Sequence, residues 1–325
     1  MTAAIRAFAL VALCACGPTP AASAPAESEA TADAGAEIST VDVAADVPVL
    51  PADYSVDGPF AVSSTTVTVS GGSADFSLTA YLPVSAKPAP VVILEPGLQQ
   101  PAAAYAVYGH RLATHGIACF LRDDPGIAVM TNEVIADLAF LVTTWLPASP
   151  FKEKLDLARV GLCGHSRGGK ATLVAAETVL AGKTKAWFGL DPVDASFVAG
   201  DGQGRDKIAE IGIPIAMMGA EVSGACSPAA DNYAMLFARA ASPAVSLTAV
   251  GAGHTHFEQQ DQCVACGLCT PDGPADKAAV LDLAIRYVTA FFARELLGDA
   301  HVGADFAGAG ASADVKAGVL TRAVK

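Results

Sequence analysis

The sequence is poor in positive charge, and the shortage is uneven. Between Arg6 and Lys87 there is no lysine or arginine, whereas nine acidic residues fall in that interval. Over the whole chain, 20 basic residues oppose 33 acidic ones, which gives a formal net charge of -13. An acidic chain without a basic cluster repels a phosphate backbone, so nucleic-acid binding is not expected.

Long apolar runs are missing as well. No stretch of about 18 consecutive apolar residues occurs, so no transmembrane helix is expected. No internal repeat is visible either. Apolar residues nevertheless make up 52% of the 325 residues. That content is ample for a large core and excludes a chain that is disordered throughout.

The N-terminal sequence resembles the export signal of bacterial lipoproteins. Arg6 precedes a short apolar run at residues 7–13, and the run ends in L-C-A-C at positions 13–16. This run is too short to cross a bilayer as a stable helix. The resemblance implies a signal over residues 1–16, with Cys16 as the lipidated residue. An ordinary signal peptide that is cut nearby is the alternative.

Residues 17–55 are rich in alanine, proline, serine, threonine and acidic residues. Such a composition buries too little apolar area to offset the entropy of ordering, which predicts a disordered acidic tether. Together with the signal, it predicts an exported protein that is lipid-anchored on the periplasmic or cell-surface side of a bacterial membrane. The folded domain is expected over residues 56–297, followed by a weakly ordered Gly/Ala-rich tail over residues 298–325.

Short apolar segments alternate with helical ones in the folded part. Two segments of period two, residues 62–70 and 75–82, flank Gly71-Gly72 and predict an antiparallel hairpin. Downstream, candidates for buried strands alternate with helical stretches. This order predicts an α/β fold, with a mostly parallel central sheet and helices on both faces. The strand candidates are residues 91–94, 117–121, 160–163, 186–190, 213–218 and 245–250.

One motif in this alternation is typical of a nucleophile. After the predicted strand at 160–163 comes Gly164-His165-Ser166-Arg167-Gly168, a G-x-S-x-G sequence, and a predicted helix follows it. A sharp strand-to-helix turn strains its central residue, and small residues two positions away on either side permit that turn. The motif therefore predicts Ser166 as a nucleophile at the carboxyl edge of the sheet.

A nucleophilic serine needs a base and an orienting acid, in the chain order serine, acid, histidine. His254 and His256 follow the last predicted strand, and the glycine-flanked position favours His254 as the base. His256 is expected to lie behind it or at the surface. The candidate acids are Asp191, directly after the strand that follows the elbow helix, Glu221 beyond the next strand, and Asp194.

The oxyanion that forms on an acyl substrate needs two preorganised N–H donors. Arg167, the residue after the nucleophile, is expected to supply one from its backbone. The turn Glu95-Pro96-Gly97-Leu98, after the first predicted parallel strand, is expected to supply the other through Leu98. Neither a metal nor an organic cofactor is required for this chemistry.

These motifs resemble the α/β-hydrolase superfamily over about residues 60–297, and within it the chlorophyllases and the cutinase- and polyester-hydrolase-like serine esterases. Residues 164–169 are similar to the chlorophyllase elbow, and residues 253–254 resemble the catalytic histidine turn. Residues 190–194 are similar to the segment that holds the family's acid, the first Asp of D-P-V, which implies Asp191. The turn at 95–98 is closer to the polyester-hydrolase form.

The residues and the resemblance together predict a serine hydrolase that cleaves carboxylic esters through an acyl-enzyme. Its expected substrate is a small-molecule or lipid-like ester. The alternatives are a chlorophyllase-like, lipid or polyester hydrolase, an acyltransferase with the same residues, and a non-catalytic surface scaffold.

Two groups of cysteines remain outside the signal. Cys119 and Cys163 fall in predicted strands, where they are expected as small buried residues. The other group is expected to form two disulfides, because an exported chain meets an oxidising compartment. The sequence leaves the three connectivities open, and a zinc site or free thiols are the alternatives. This second group consists of Cys226, Cys263, Cys266 and Cys269.

Overall fold

The chain divides into two units, Met1–Val47 and Pro48–Lys325. The computed structural model describes part of the second unit, namely residues 53–123, 131–195, 204–259, 269, 272–302, 306 and 309–325. The predicted signal, with Cys16, and most of the predicted tether lie outside the described residues.

The described residues form a nine-stranded sheet. Its strands are β1 (Val62–Val69), β2 (Phe76–Pro83), β3 (Ala89–Glu95), β4 (Ala118–Arg122), β5 (Leu155–His165), β6 (Thr184–Leu190), β7 (Ile215–Ala220), β8 (Ala244–Ala249) and β9 (Leu320–Val324). They lie in the order β1-β2-β4-β3-β5-β6-β7-β8-β9. Neighbours from β4 to β8 are parallel, whereas β1–β2, β2–β4 and β8–β9 are antiparallel. The predicted hairpin and the mostly parallel sheet are confirmed.

Helices connect the parallel strands. They are α1 (Ala106–Thr114), α2 (Thr131–Phe140), α3 (Leu146–Ala148), α4 (Ser166–Glu177), α5 (Gly204–Lys207), α6 (Tyr233–Arg239), α7 (Lys277–Phe292) and α8 (Ala309–Ala317). Turns of 3-10 helix occur at Ala102–Tyr105, Lys152–Lys154, His254–Phe257 and Ala300–Val302, and π-helical turns at Leu141–Trp145 and Ala293–Leu297. No helix in the described part of the chain is long and apolar enough to cross a membrane.

Side chains that alternate along β3 fill two separate cores. Val92 and Leu94 face one core, which α1 and α7 cover. Val91 and Ile93 face the other, which α2, α4 and α6 cover. Because both faces of the sheet are buried, the central strands consist of continuous apolar runs rather than an alternation of apolar and polar residues.

The C-terminal residues add the last strand to the sheet. The sequence had instead predicted a weakly ordered tail over residues 298–325. Both α8 and β9 form there, and β9 pairs antiparallel with β8. Leu320 is buried, whereas the four residues after it in β9 are exposed. Backbone pairing therefore holds this strand, and the sequence lacks the apolar alternation that would have predicted it.

We expect Leu320→Ala to lower the free energy of unfolding by about 2–4 kcal/mol, because truncating a buried leucine leaves a cavity beside the core. Thr321→Ala is the matched control, since the next side chain along β9 is exposed. It should change the free energy by less than about 0.5 kcal/mol. Chemical denaturation measures both, and two equally small effects would contradict the packing of β9.

Candidate active site

The carboxyl ends of the parallel strands lie at one edge of the sheet, and the candidate residues follow them. Ser166 comes directly after β5, Asp191 directly after β6 and Glu221 directly after β7. His254 follows β8 after a short turn, and Leu98 lies in the loop after β3. The fold therefore collects residues that are far apart in sequence at the position where parallel α/β sheets place their sites.

Backbone crowding holds the turn between β5 and α4. Ser166 has a φ of 55°, in the left-handed region. A β-carbon at Gly164 would lie 2.3 Å from the carbonyl oxygen of Gly168, and one at Gly168 would lie 2.3 Å from the carbonyl oxygens of Glu95 and Pro96. Only glycine fits these two positions. Ser166 itself is partly exposed, although its neighbours on both sides are buried.

A chain of hydrogen bonds joins three of the candidate residues. His254 Nδ1 lies 2.6 Å from Asp191 Oδ2, and His254 Nε2 lies 2.9 Å from Ser166 Oγ. Because a carboxylate only accepts, Nδ1 carries the hydrogen and Nε2 is left to accept the hydroxyl proton of Ser166. Asp191 is fully buried. Its Oδ1 also accepts the N–H of Ala220 at 3.2 Å, which ties the carboxylate to β7.

The two other candidate acids have different partners. Glu221 Oε2 accepts the N–H of Gly251 at 2.8 Å, in the turn that leads from β8 to the histidine. Asp194 accepts the N–H of Gly204 at 2.5 Å and the side chain of Arg205 at 2.8 Å. Among the described residues, no hydrogen bond joins either carboxylate to the imidazole of His254.

His256 is buried and stabilises the turn that carries His254. Its Nδ1 accepts the N–H of Gly253 at 2.7 Å, and 5% of the residue is exposed. The sequence predicted that His256 lies behind the base or at the surface. The structure places it within the same 3-10 turn, His254–Phe257, which we call the histidine turn.

The loop after β3, residues 96–100, lies against the β5–α4 turn. A β-carbon at Gly97 would lie 3.5 Å from Ser166 Cβ. Gln100 donates its N–H to the carbonyl of Gly97 at 3.1 Å, and Leu98 is half-buried between them. Arg167 occupies the first turn of α4, whose N–H groups point out of the end of the helix. Both predicted donors thus belong to segments that flank Ser166.

Backbone strain is concentrated at this edge of the sheet. In the described ranges, three non-glycine residues have a positive φ, and they are Gln99, Ser166 and Asp191. Residues other than glycine are held in such conformations only where the surroundings over-determine them, which is common at active sites. Each of these residues directly follows or lies near the carboxyl end of a parallel strand.

A buried ionic network fixes Glu95, the residue that precedes the loop at 96–100. Arg122 Nη1 donates to Glu95 Oε1 at 3.0 Å, and its Nη2 donates to Asp137 Oδ2 at 2.8 Å. All three side chains are almost fully buried, where a charge is tolerated only when it is paired. Ser73 adds two hydrogen bonds to Asp137. Glu95 is thereby held at the end of β3.

Residues 48–204, just under half of the chain, match the sequence model of a family described as "PETase: PET hydrolase-like". The chain is similar to this family over that range, and its mostly parallel sheet with helices on both faces is consistent with an α/β-hydrolase fold. The match spans the loop after β3, the β5–α4 turn and Asp191, and it implies an ester hydrolase. A comparison with curated proteins finds no significant match.

Sequence reasoning missed two buried polar residues near Ser166, Tyr105 and Glu258. The Tyr105 hydroxyl lies 2.6 Å from Nδ1 of His165, the residue before Ser166, and 3.3 Å from Glu258 Oε2. Burial lowers the pKa of His165 well below its usual value, so its ring is neutral. Tyr105 stands among alanines, whereas Glu258 stands in a polar stretch, and neither setting reveals the partners of these side chains.

A disulfide joins Cys226, in the loop after β7, to Cys269, beyond the histidine turn. This pairing excludes a zinc site that uses both of these cysteines as thiolates, and the predicted partners Cys263 and Cys266 lie outside the described residues. Cys119 and Cys163 are buried thiols, as predicted. Within the described part of the chain, no three His, Cys, Asp or Glu side chains could together hold a metal ion.

We expect Gly168→Ala to destabilise the protein by about 3 kcal/mol or more, because the new methyl group would collide with two carbonyl oxygens that no rotamer change can move. Gly212→Ala is the control, since a β-carbon there meets nothing within 4 Å. It should change stability by less than about 1 kcal/mol. Thermal unfolding of both variants decides the matter. A Gly168 variant as stable as the control would refute the crowding argument.

Proposed function

We propose that this protein is a serine hydrolase that cleaves carboxylic esters through an acyl-enzyme, with Ser166 as nucleophile, His254 as base and Asp191 as orienting acid. The observation that carries the proposal is the hydrogen-bond chain from Asp191 through His254 to Ser166, with distances of 2.6 and 2.9 Å. It occurs at a strained strand-to-helix turn, where a nucleophile is exposed.

In the acylation step, Ser166 Oγ attacks the ester carbonyl while His254 Nε2 takes its proton. The buried carboxylate of Asp191 stabilises the imidazolium that forms and keeps the ring in the productive tautomer. The C–O bond to the alcohol then breaks, and His254 returns the proton to the departing oxygen. Water repeats the sequence on the acyl-enzyme and releases the acid together with free Ser166.

The negative charge that develops on the carbonyl oxygen requires preorganised donors. We assign these to the backbone N–H groups of Leu98 and Arg167, in the two segments that flank Ser166. In related chemistry, each such donor is worth about 3 kcal/mol of transition-state stabilisation. The helix dipole of α4 acts in the same direction, because its N-terminus faces the developing charge.

The expected substrate class is an ester of the kind found in polyesters. The family match supports this choice, because its description refers to hydrolysis of PET, an aromatic polyester. An aromatic diester of terephthalic acid is therefore a suitable probe beside p-nitrophenyl esters of graded acyl length. Transfer to an added alcohol in place of hydrolysis would instead indicate an acyltransferase.

We expect Ser166→Ala to reduce kcat by about 10⁴-fold or more and Asp191→Asn by about 10³- to 10⁴-fold, because each removes a member of one catalytic unit. Glu221→Gln is the matched control. It can still accept the Gly251 N–H, and kcat should stay within about threefold of the wild-type value. Steady-state hydrolysis of p-nitrophenyl esters by the full chain measures all three. A large loss in the Glu221 variant with an active Asp191 variant would reverse the assignment of the acid.

We also propose that the protein is exported and lipid-anchored through Cys16, as the lipobox at residues 13–16 suggests. We expect Cys16→Ser to move the protein from the membrane fraction to the soluble fraction of an expressing bacterium and to abolish palmitate labelling. A single acyl chain binds only weakly, so stable anchoring depends on complete modification of this cysteine. Cys14→Ser is the control and should remain in the membrane fraction, labelled. Unchanged labelling of the Cys16 variant would contradict the proposal.

A further inference from the structure

A buried tyrosine lies beneath the proposed nucleophile. Tyr105 ends the 3-10 turn that follows the loop at 96–100, and none of its surface is exposed. Its hydroxyl oxygen lies 3.2 Å from the N–H nitrogen of Gly97, 2.6 Å from His165 Nδ1 and 3.3 Å from Glu258 Oε2. One atom therefore contacts the loop after β3, the β5–α4 turn and the residue that follows the histidine turn.

The donors and acceptors around this hydroxyl have a definite direction. His165 Nε2 lies 3.1 Å from the backbone carbonyl of His254, and a carbonyl only accepts, so Nε2 carries the hydrogen. The ring is neutral, because burial lowers the pKa of His165 well below its usual value. Nδ1 must then accept, and Tyr105 donates its single hydrogen to it at 2.6 Å, so this hydrogen is not shared with Glu258 Oε2, which lies 3.3 Å away. The tyrosine oxygen in turn accepts the N–H of Gly97.

The same atoms set the distance between the loop at 96–100 and the β5–α4 turn. A β-carbon at Gly97 would lie 3.0 Å from His165 Nδ1 and 3.3 Å from the Tyr105 hydroxyl oxygen, as well as close to Ser166. The Tyr105 hydroxyl and the His165 ring thus pack directly against the loop at Gly97. Leu98, next to Gly97, is the residue to which the second oxyanion donor is assigned.

We propose that Tyr105 is a positioning residue. Its hydroxyl joins the loop at 96–100, which donates to the oxyanion, to the turn that carries Ser166. Through His165 it also joins this loop to the histidine turn. The inference rests on the proposed ester hydrolysis. Tyr105 is buried and acts through Gly97 and His165. Because an oxyanion forms only in the transition state, loss of the hydroxyl should lower kcat and leave KM almost unchanged.

Tyr105→Phe removes the hydroxyl and keeps the ring. We expect kcat for a p-nitrophenyl ester to fall about 10- to 100-fold, with KM within about twofold of the wild-type value. Tyr287→Phe is the matched control. This tyrosine is also buried, and its hydroxyl donates to Asp314 Oδ2 at 2.7 Å, between α7 and α8. Among the described residues it bonds to none of the segments around Ser166, and kcat should stay within about threefold.

A double-mutant cycle separates positioning from a general loss of packing. His165→Phe interrupts the same chain one bond further on, so the double variant with Tyr105→Phe should be no slower than the slower single variant. Multiplied defects would overturn the proposal. If Tyr105→Phe is not recovered folded, His165→Phe against Tyr287→Phe supplies the same kcat and KM comparison.

The two proposals fail in different ways. Turnover by the wild type, lost in Ser166→Ala, supports the ester hydrolase independently of Tyr105. An active wild type in which Tyr105→Phe behaves like Tyr287→Phe overturns the positioning role alone. A wild type without turnover overturns the proposed function, and the positioning role with it.

Discussion

Contact between main-chain atoms at the β5–α4 turn determines the geometry of the whole site. Gly168 lies so close to the carbonyl oxygens of Glu95 and Pro96 that no side chain fits between them. Rotamer changes cannot relieve such a contact, because every atom in it belongs to the backbone. The separation between the loop after β3 and Ser166 is consequently set by the packing of two strands and a helix. The buried ion pair between Arg122 and Glu95 stabilises the end of β3 in this packing.

Three carboxylates fix the segments around this contact, one segment for each carboxylate. Asp191 orients His254, Glu221 binds the turn after β8, and Asp194 binds the first residues of α5. Asp191 and Asp194 are buried, whereas Glu221 is exposed. A buried carboxylate is stable only when its oxygens accept hydrogen bonds or pair with a cation. Each acid therefore orders the backbone or side chain that supplies its donors. The three candidate acids are alternatives in the sequence, but they have separate structural roles in the fold.

Local patterns predicted the parallel strands and the turn at Ser166, because strand periodicity and the G-x-S-x-G spacing depend on neighbours in sequence. The position of Asp191 directly after a predicted strand favoured it among the three acids, and the family resemblance supported the choice. The hydrogen bond that ties its carboxylate to β7 is a contact that no local pattern records. The contacts of Tyr105 unite three separate segments and were invisible for the same reason. The strand at Leu320 was missed because its other side chains are exposed and carry no apolar alternation.

The pairing of β8 with β9 also bears on the order of folding. Ala249 pairs with Leu320, and the N–H of Val250 donates to the carbonyl of Val319 at 3.0 Å. All of α7 and α8 lies between these partners, so this pairing closes one of the longest loops in the sheet. The entropic cost of closing a loop grows with its length, which makes such contacts slow to form. The strand that leads to His254 therefore gains its outer neighbour only at the entropic cost of closing this long loop.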